Sequence, residues 1–109
     1  MVPGWVSYFE TFGGELAELA NGELRQFLQD GLNDANIFLR EQIVILERYL
    51  EQLATGEITK EEFKGGVVDL HQNIMTHEHI MKLAAKDRAH RMAERIEQLI
   101  LERLVNLLP

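Results

Sequence analysis

The chain contains no cysteine. This excludes a disulfide framework and thiol chemistry, and it removes the sulfur ligands that structural zinc sites favour. Serine occurs once, at Ser7, with nothing tying it to a histidine and a carboxylate, so a nucleophile triad is not expected. The glycine pairs Gly13-Gly14 and Gly65-Gly66 lack the lysine and following Ser or Thr of a phosphate loop. No stretch approaches the roughly 20 apolar residues of a membrane-spanning helix. The start, Met1-Val2-Pro3-Gly4-Trp5, lacks the basic region and apolar run of a signal peptide, so a soluble chain is expected. At 109 residues it forms one domain with a modest core, to whose stability partners can contribute.

Charge is unevenly spread. Residues 1–59 hold ten acidic side chains against Arg25, Arg40 and Arg48, a net of −7, whereas residues 60–109 hold eight of each sign. Phosphate-backbone binding needs a concentrated positive surface, so nucleic acid is not an expected partner.

The strongest local signal is Ile58-Thr59-Lys60-Glu61-Glu62-Phe63. Thr59 can cap the first amides of a helix while Glu62 reaches back to the cap amide, and Ile58 with Phe63 supplies a hydrophobic staple. Gly56 suits the left-handed end of a preceding helix. One helix therefore ends near Thr55 and the next starts at Lys60.

Upstream, Leu16, Ala20, Leu24, Phe27, Ala35, Phe38, Leu39, Ile45, Leu46, Tyr49 and Leu53 recur at helical steps, which predicts a first arm over 14–54. The stripe keeps phase across Gly31, so this arm is expected to be continuous or gently kinked. Downstream, Leu70, Met81 and Met92, and likewise Ile74, Ala85 and Ile96, recur at eleven-residue steps, and no proline interrupts residues 60–108. A second arm over 60–108 would then run about 70 Å. The fold class is all-α: a long antiparallel helical hairpin turning near residues 55–59, with residues 1–13 as an aromatic N-terminal segment, assembling into a bundle.

Folding about residue 57 sets Gly65-Gly66, a cost of about 1 kcal/mol each in a helix interior, opposite Arg48 and Tyr49; either Tyr49 approaches the backbone there or the helix frays. The same register sets Lys82 near Asp30 and Asp34, Arg91 near Glu23 and Arg95 near Glu18.

Four histidines invite a metal reading, with His77-Glu78-His79 compact and His71, His79 and His90 in one sector of a helix. His77 points away from that sector, and His79 and His90 lie roughly 16 Å apart along a helix axis, so one ion cannot join them. A di-iron bundle would need two Glu-x-x-His elements, and Asp87-Arg88-Ala89-His90 is a single copy with the shorter acid. No metal, cofactor, small-molecule substrate or catalytic residue is expected.

The end of the second arm differs from the rest. Ile96, Leu99, Ile100, Leu101, Leu104, Val105, Leu107 and Leu108 cover about two thirds of a helix circumference, more than one partner arm buries. Trp5, Phe9 and Phe12, at the same end of the hairpin, cover part of it. The remainder, with Leu101, Leu104, Val105 and Leu108 prominent, is expected to bury against another chain ahead of a membrane surface.

The stretch Leu53-Ala54-Thr55-Gly56-Glu57-Ile58-Thr59-Lys60-Glu61-Glu62-Phe63, followed by a helix with an apolar end, resembles small helical proteins encoded among the tail genes of tailed bacteriophages. About half the chain takes part. The resemblance implies a structural or assembly role in a virion or in the infected cell's cytoplasm, and it carries over no site residues. The expected function is a non-enzymatic structural or assembly protein forming a homo-oligomer or joining other assembly proteins. The alternative is a small acidic module that docks on another protein through the negative face of the first arm and regulates it.

Overall fold

A computed structural model describes residues 2–109. The chain is all-α, with no strand among these residues: α1 (Gly4–Glu10), α2 (Gly14–Asn21), α3 (Glu23–Leu32), α4 (Ile37–Thr55), α5 (Lys60–His77), a 3-10 turn (Glu78–Ile80) and α6 (Leu83–Arg95). The last helix continues as a π-wound stretch (Ile96–Leu104) and a final α turn (Val105–Leu107).

The turn joining α4 to α5 forms as its residues dictate. Gly56 takes the left-handed conformation at φ 80°, which lets the Glu57 amide return to the Gln52 carbonyl at 2.9 Å. The Thr59 hydroxyl accepts from the Glu62 amide at 3.1 Å, and the Glu62 carboxylate accepts from the Thr59 amide at 3.0 Å. Phe63 is buried and Ile58 packs against the core beside it.

The two arms are not continuous, and here the structure corrects the hairpin. The first breaks at Gly22, whose backbone leaves the helical region, and again between Leu32 and Ile37. Gly31 itself stays helical; the second break belongs to Asp34, which accepts the Asn36 amide at 2.8 Å, and Asn36, which caps α4 by accepting from Leu39 at 3.0 Å. Local side-chain caps won over the continuity of the stripe. The second arm breaks at Met81, where the backbone becomes extended at φ −85°, ψ 152°.

The last helix then folds back along α5. Its end reaches the α4–α5 turn, where Lys60 Nζ donates to the Leu108 carbonyl at 3.3 Å. At the same end the Trp5 amide donates to Glu51 Oε1 at 3.1 Å, so both chain ends lie toward the turn instead of away from it. The molecule measures 41 × 27 × 21 Å, against the roughly 70 Å of an unbroken second arm. α1 and α3 pack on α2 and on α4, and α5 packs on α4, α6 and the π stretch.

This return resolves the wide apolar run. Ile96, Ile100, Leu104 and Leu108 are all buried. Leu99 and Val105 are buried beside them. Trp5 and Phe9, in edge contact with ring centroids 6.1 Å apart, are buried as well. Of the side chains expected at an interface between chains, Trp5, Phe9, Leu104, Val105 and Leu108 therefore lie in the chain's own core, Leu101 is half-buried against it, and only Phe12 is open, 43 % exposed. One chain supplies the cover that the sequence seemed to require from a second.

Two glycines mark close approaches. A Cβ on Gly66 would lie 2.9 Å from Tyr49 Cε2, so of the two alternatives, approach of Tyr49 or fraying of the helix, the structure shows the approach. A Cβ on Gly31 would collide with Ile43 Cγ1, which shows how closely α3 meets α4.

Candidate functional site

α3 and α6 line the two walls of an open cleft. Arg88, Arg91 and Arg95 follow one another at helical steps on α6, opposite Asp30 on α3 and Asp34 just beyond it. Phe27, Gly31 and Met92 complete a lining of about 420 Å³. A contiguous hollow of about 590 Å³, sharing Phe27, Asp30 and Arg95, extends it past Glu23 and Gln26 to Gly22.

The charges across the cleft form a ladder with its middle rung open. At one end Arg88 Nε donates to Asp34 Oδ2 at 3.1 Å. At the other, Glu23 takes Arg103 at 2.9 Å and Arg95 at 3.5 Å. The Arg103 hydrogen bond and charge, followed by the charge of Arg95, hold the Glu23 carboxyl below the usual carboxylate range although solvent reaches it. Between these rungs Asp30 accepts only the Gln26 amide at 2.9 Å, and Arg91 has no carboxylate within 4.0 Å among the described residues. A cation acceptor and an anion acceptor thus stand unpaired on either side of an apolar floor.

Cross-helix charge matching was legible in the sequence, but its partners are shifted. Asp34 meets Arg88 in place of Lys82, and Glu23 meets Arg95 and Arg103 in place of Arg91. The fold-back at Met81 slides the last helix by one turn or more from the register of a straight hairpin.

A second feature lies at the far end of the molecule from the α4–α5 turn. Ile37, Ile80 and Leu83 are 62 %, 77 % and 75 % exposed, the most open large aliphatic side chains among the described residues. Ile37 begins α4, Ile80 ends the 3-10 turn and Leu83 begins α6. The elements are tied together behind them: the Phe38 and His77 rings stack with centroids 3.8 Å apart, and Asp34 joins α6 to α4 by taking Arg88 on its carboxylate and Arg40 on its carbonyl. None of the three aliphatics belongs to the stripes that define the helices, which was the signal for this patch.

Three of the four histidines have ordinary partners. His90 sits 2.7 Å from Glu94 and 3.6 Å from Glu78, His71 is 3.8 Å from Glu97, and His77 takes part in the ring stack. Among the described residues no group of three or more His, Asp or Glu side chains is placed to hold a metal ion, and no helix is long and apolar enough to cross a membrane. No protein-family model, curated protein or solved structure matches the chain.

Proposed function

We propose that the chain is a non-enzymatic, acidic protein-binding module that receives a helical segment of a partner protein in the cleft between α3 and α6. The observation that carries this reading is the open rung: Asp30 and Arg91 face one apolar floor without engaging each other, while the pairs on both sides are closed. A partner segment with an apolar side chain on Phe27 and Met92, a basic group toward Asp30 and an acidic group toward Arg91 completes the ladder. Such a segment is an amphipathic helix. Burying the two charges as pairs gives specificity, because a segment with the wrong charge leaves one of them desolvated and alone. The shift of emphasis from self-assembly to partner binding follows from the burial of Leu104, Val105 and Leu108, which leaves Phe12 as the one open side chain of the set expected at a self-association interface.

The test is affinity capture from an extract of the source cell with three immobilised chains. A partner held by the wild type and by Leu83→Asp, but lost from Phe27→Ser combined with Arg91→Gln, supports the cleft. Equal capture by all three would overturn it.

A further inference from the structure

The junction between α2 and α3 carries the one asparagine that glycine follows: of Asn21, Asn33, Asn36, Asn73 and Asn106, the last four precede Asp34, Ile37, Ile74 and Leu107. The fold itself requires that glycine. A Cβ at position 22 would lie 2.9 Å from the Glu18 carbonyl oxygen, a backbone atom that cannot swing aside, and Gly22 leaves the helical region at φ −108°, ψ −106°. The same absence of a side chain removes the steric hindrance that a following residue ordinarily puts on attack by its amide nitrogen. Asn21 and Gly22 are both exposed, and they line the hollow that also takes in Glu23 and Arg95. Two hydrogen bonds restrain the pair: Asn21 Nδ2 donates to the Ala17 carbonyl at 3.1 Å, and the Gly22 amide donates to the Glu18 carbonyl at 2.9 Å. The second closes the end of α2, a helix of 8 residues, and bonds at a helix terminus open at little cost in free energy.

From this we infer that Asn21 is a site of spontaneous deamidation. When the end of α2 opens, the Gly22 amide nitrogen gives its proton to solvent and attacks Asn21 Cγ; a C–N bond forms, ammonia leaves and a succinimide ring closes. Water then opens the ring. Addition at Cγ breaks the new C–N bond and leaves aspartate. Addition at the main-chain carbonyl carbon of residue 21 breaks the original peptide bond and leaves isoaspartate, with the chain now running through the former side chain. Either product puts a carboxylate where the Nδ2 donor stood. An ionised carboxylate only accepts, so the bond to the Ala17 carbonyl is lost. The new charge also lies at the negative end of the α2 dipole, next in sequence to Glu23. Isoaspartate further lengthens the backbone between the buried Leu19 and Ala20 on one side and the buried Leu24 on the other. The modification therefore loosens the α2–α3 junction.

Ageing the full chain in its folded state at mildly alkaline and at mildly acidic pH tests this, with peptide mapping by mass spectrometry and isoaspartate-specific methyl transfer as readouts. The expected result is loss of the Asn21 amide several-fold ahead of any other asparagine, mostly to isoaspartate. Conversion should be faster at the higher pH, because the attacking nitrogen must lose its proton. The aged chain should melt below the fresh one. Asn21→Gln, whose longer side chain would have to close a larger and less favourable ring, should accept no methyl group at this position and should keep its melting temperature through the same ageing. An Asn21 that stays intact in the folded chain while it converts in urea would overturn the inference, since the two hydrogen bonds would then suffice to protect it. So would earlier conversion of another asparagine, or a chain converted at Asn21 that melts like the fresh one.

Discussion

Three glycines on packed helices offer a graded test of how closely the helices approach. Gly65 lies on the exposed face of α5, and a Cβ there meets nothing within 4 Å. Gly65→Ala should therefore gain the full helix-propensity difference of about 1 kcal/mol. For a domain of this size that corresponds to a rise of about 4–8 °C in melting temperature. At Gly66 the new Cβ would lie 2.9 Å from Tyr49 Cε2 and 3.1 Å from Cζ, the far end of a half-exposed ring that can swing outward. The same gain is offset there by the displaced contact, and the net change should be close to zero. At Gly31 the obstacle is the stem of Ile43, with Cγ1 in collision, Cδ1 at 3.0 Å and Cβ at 3.2 Å. A Cβ atom does not move unless α4 moves. Overpacking of about 1–3 kcal/mol should exceed the propensity gain, leaving Gly31→Ala less stable than wild type by up to roughly 2 kcal/mol. Urea unfolding followed by the fluorescence of Trp5, the one tryptophan and 1 % exposed, measures all three. The order expected is Gly65→Ala, Gly66→Ala, Gly31→Ala, from most to least stable. A Gly31→Ala chain as stable as Gly65→Ala would refute the packing of α3 on α4.

Other perturbations address single contacts. Thr59→Ala removes the acceptor of the Glu62 amide and should cost about 1 kcal/mol in denaturant unfolding without altering helix content; no loss would mean the cap is not formed. Asp34→Ala deprives both the Asn36 amide and Arg88 of their acceptor and should cost roughly 2 kcal/mol, with faster hydrogen exchange in the first turn of α4; unchanged exchange there would contradict the joint. The Glu23 carboxyl titrates below its unfolded value, so its stabilising effect is complete above the ordinary glutamate range near about pH 4.3 and fades as pH falls through the lowered folded value. Arg103→Gln should return the Glu23 midpoint toward normal in an NMR titration, and an unmoved midpoint would sink the assignment of its cause. Zinc or nickel, with a chelator control, should leave the melting temperature unchanged; a rise of several degrees would reveal a folded-state metal site.

What could be read from the sequence was what depends on neighbours along the chain. Thr59, Glu62, Ile58, Phe63 and Gly56 make their bonds and contacts within one turn of each other, so their identities fixed the α4–α5 boundary. Folding about that boundary was then enough to bring Tyr49 to Gly66. The break at Met81 was hidden because α5 and α6 both turn their stripes to the same core, so the apolar phase carries through a reversal that no glycine or proline announces. The break before α4 did have a signal, in the capping residues Asp34 and Asn36, but the unbroken stripe outweighed it. The apolar run from Ile96 to Leu108 looked too wide for one partner because the reversal at Met81, which lays it along α5 and into the common core, could not be seen from neighbours along the chain. The cleft depends on which pairs close and which stay open across α3 and α6, and periodicity holds no information on that.

The central claim is that one chain closes its own core, C-terminal leucines included. Small-angle X-ray scattering of the dilute protein at low salt tests it most directly. The account predicts the mass of one 12.6 kDa chain, a radius of gyration close to the 13.6 Å of its Cα atoms once hydration is allowed for, and a longest dimension near 41 Å. A particle approaching the roughly 70 Å of a straight hairpin, or a dimer of constant mass on dilution, would contradict it.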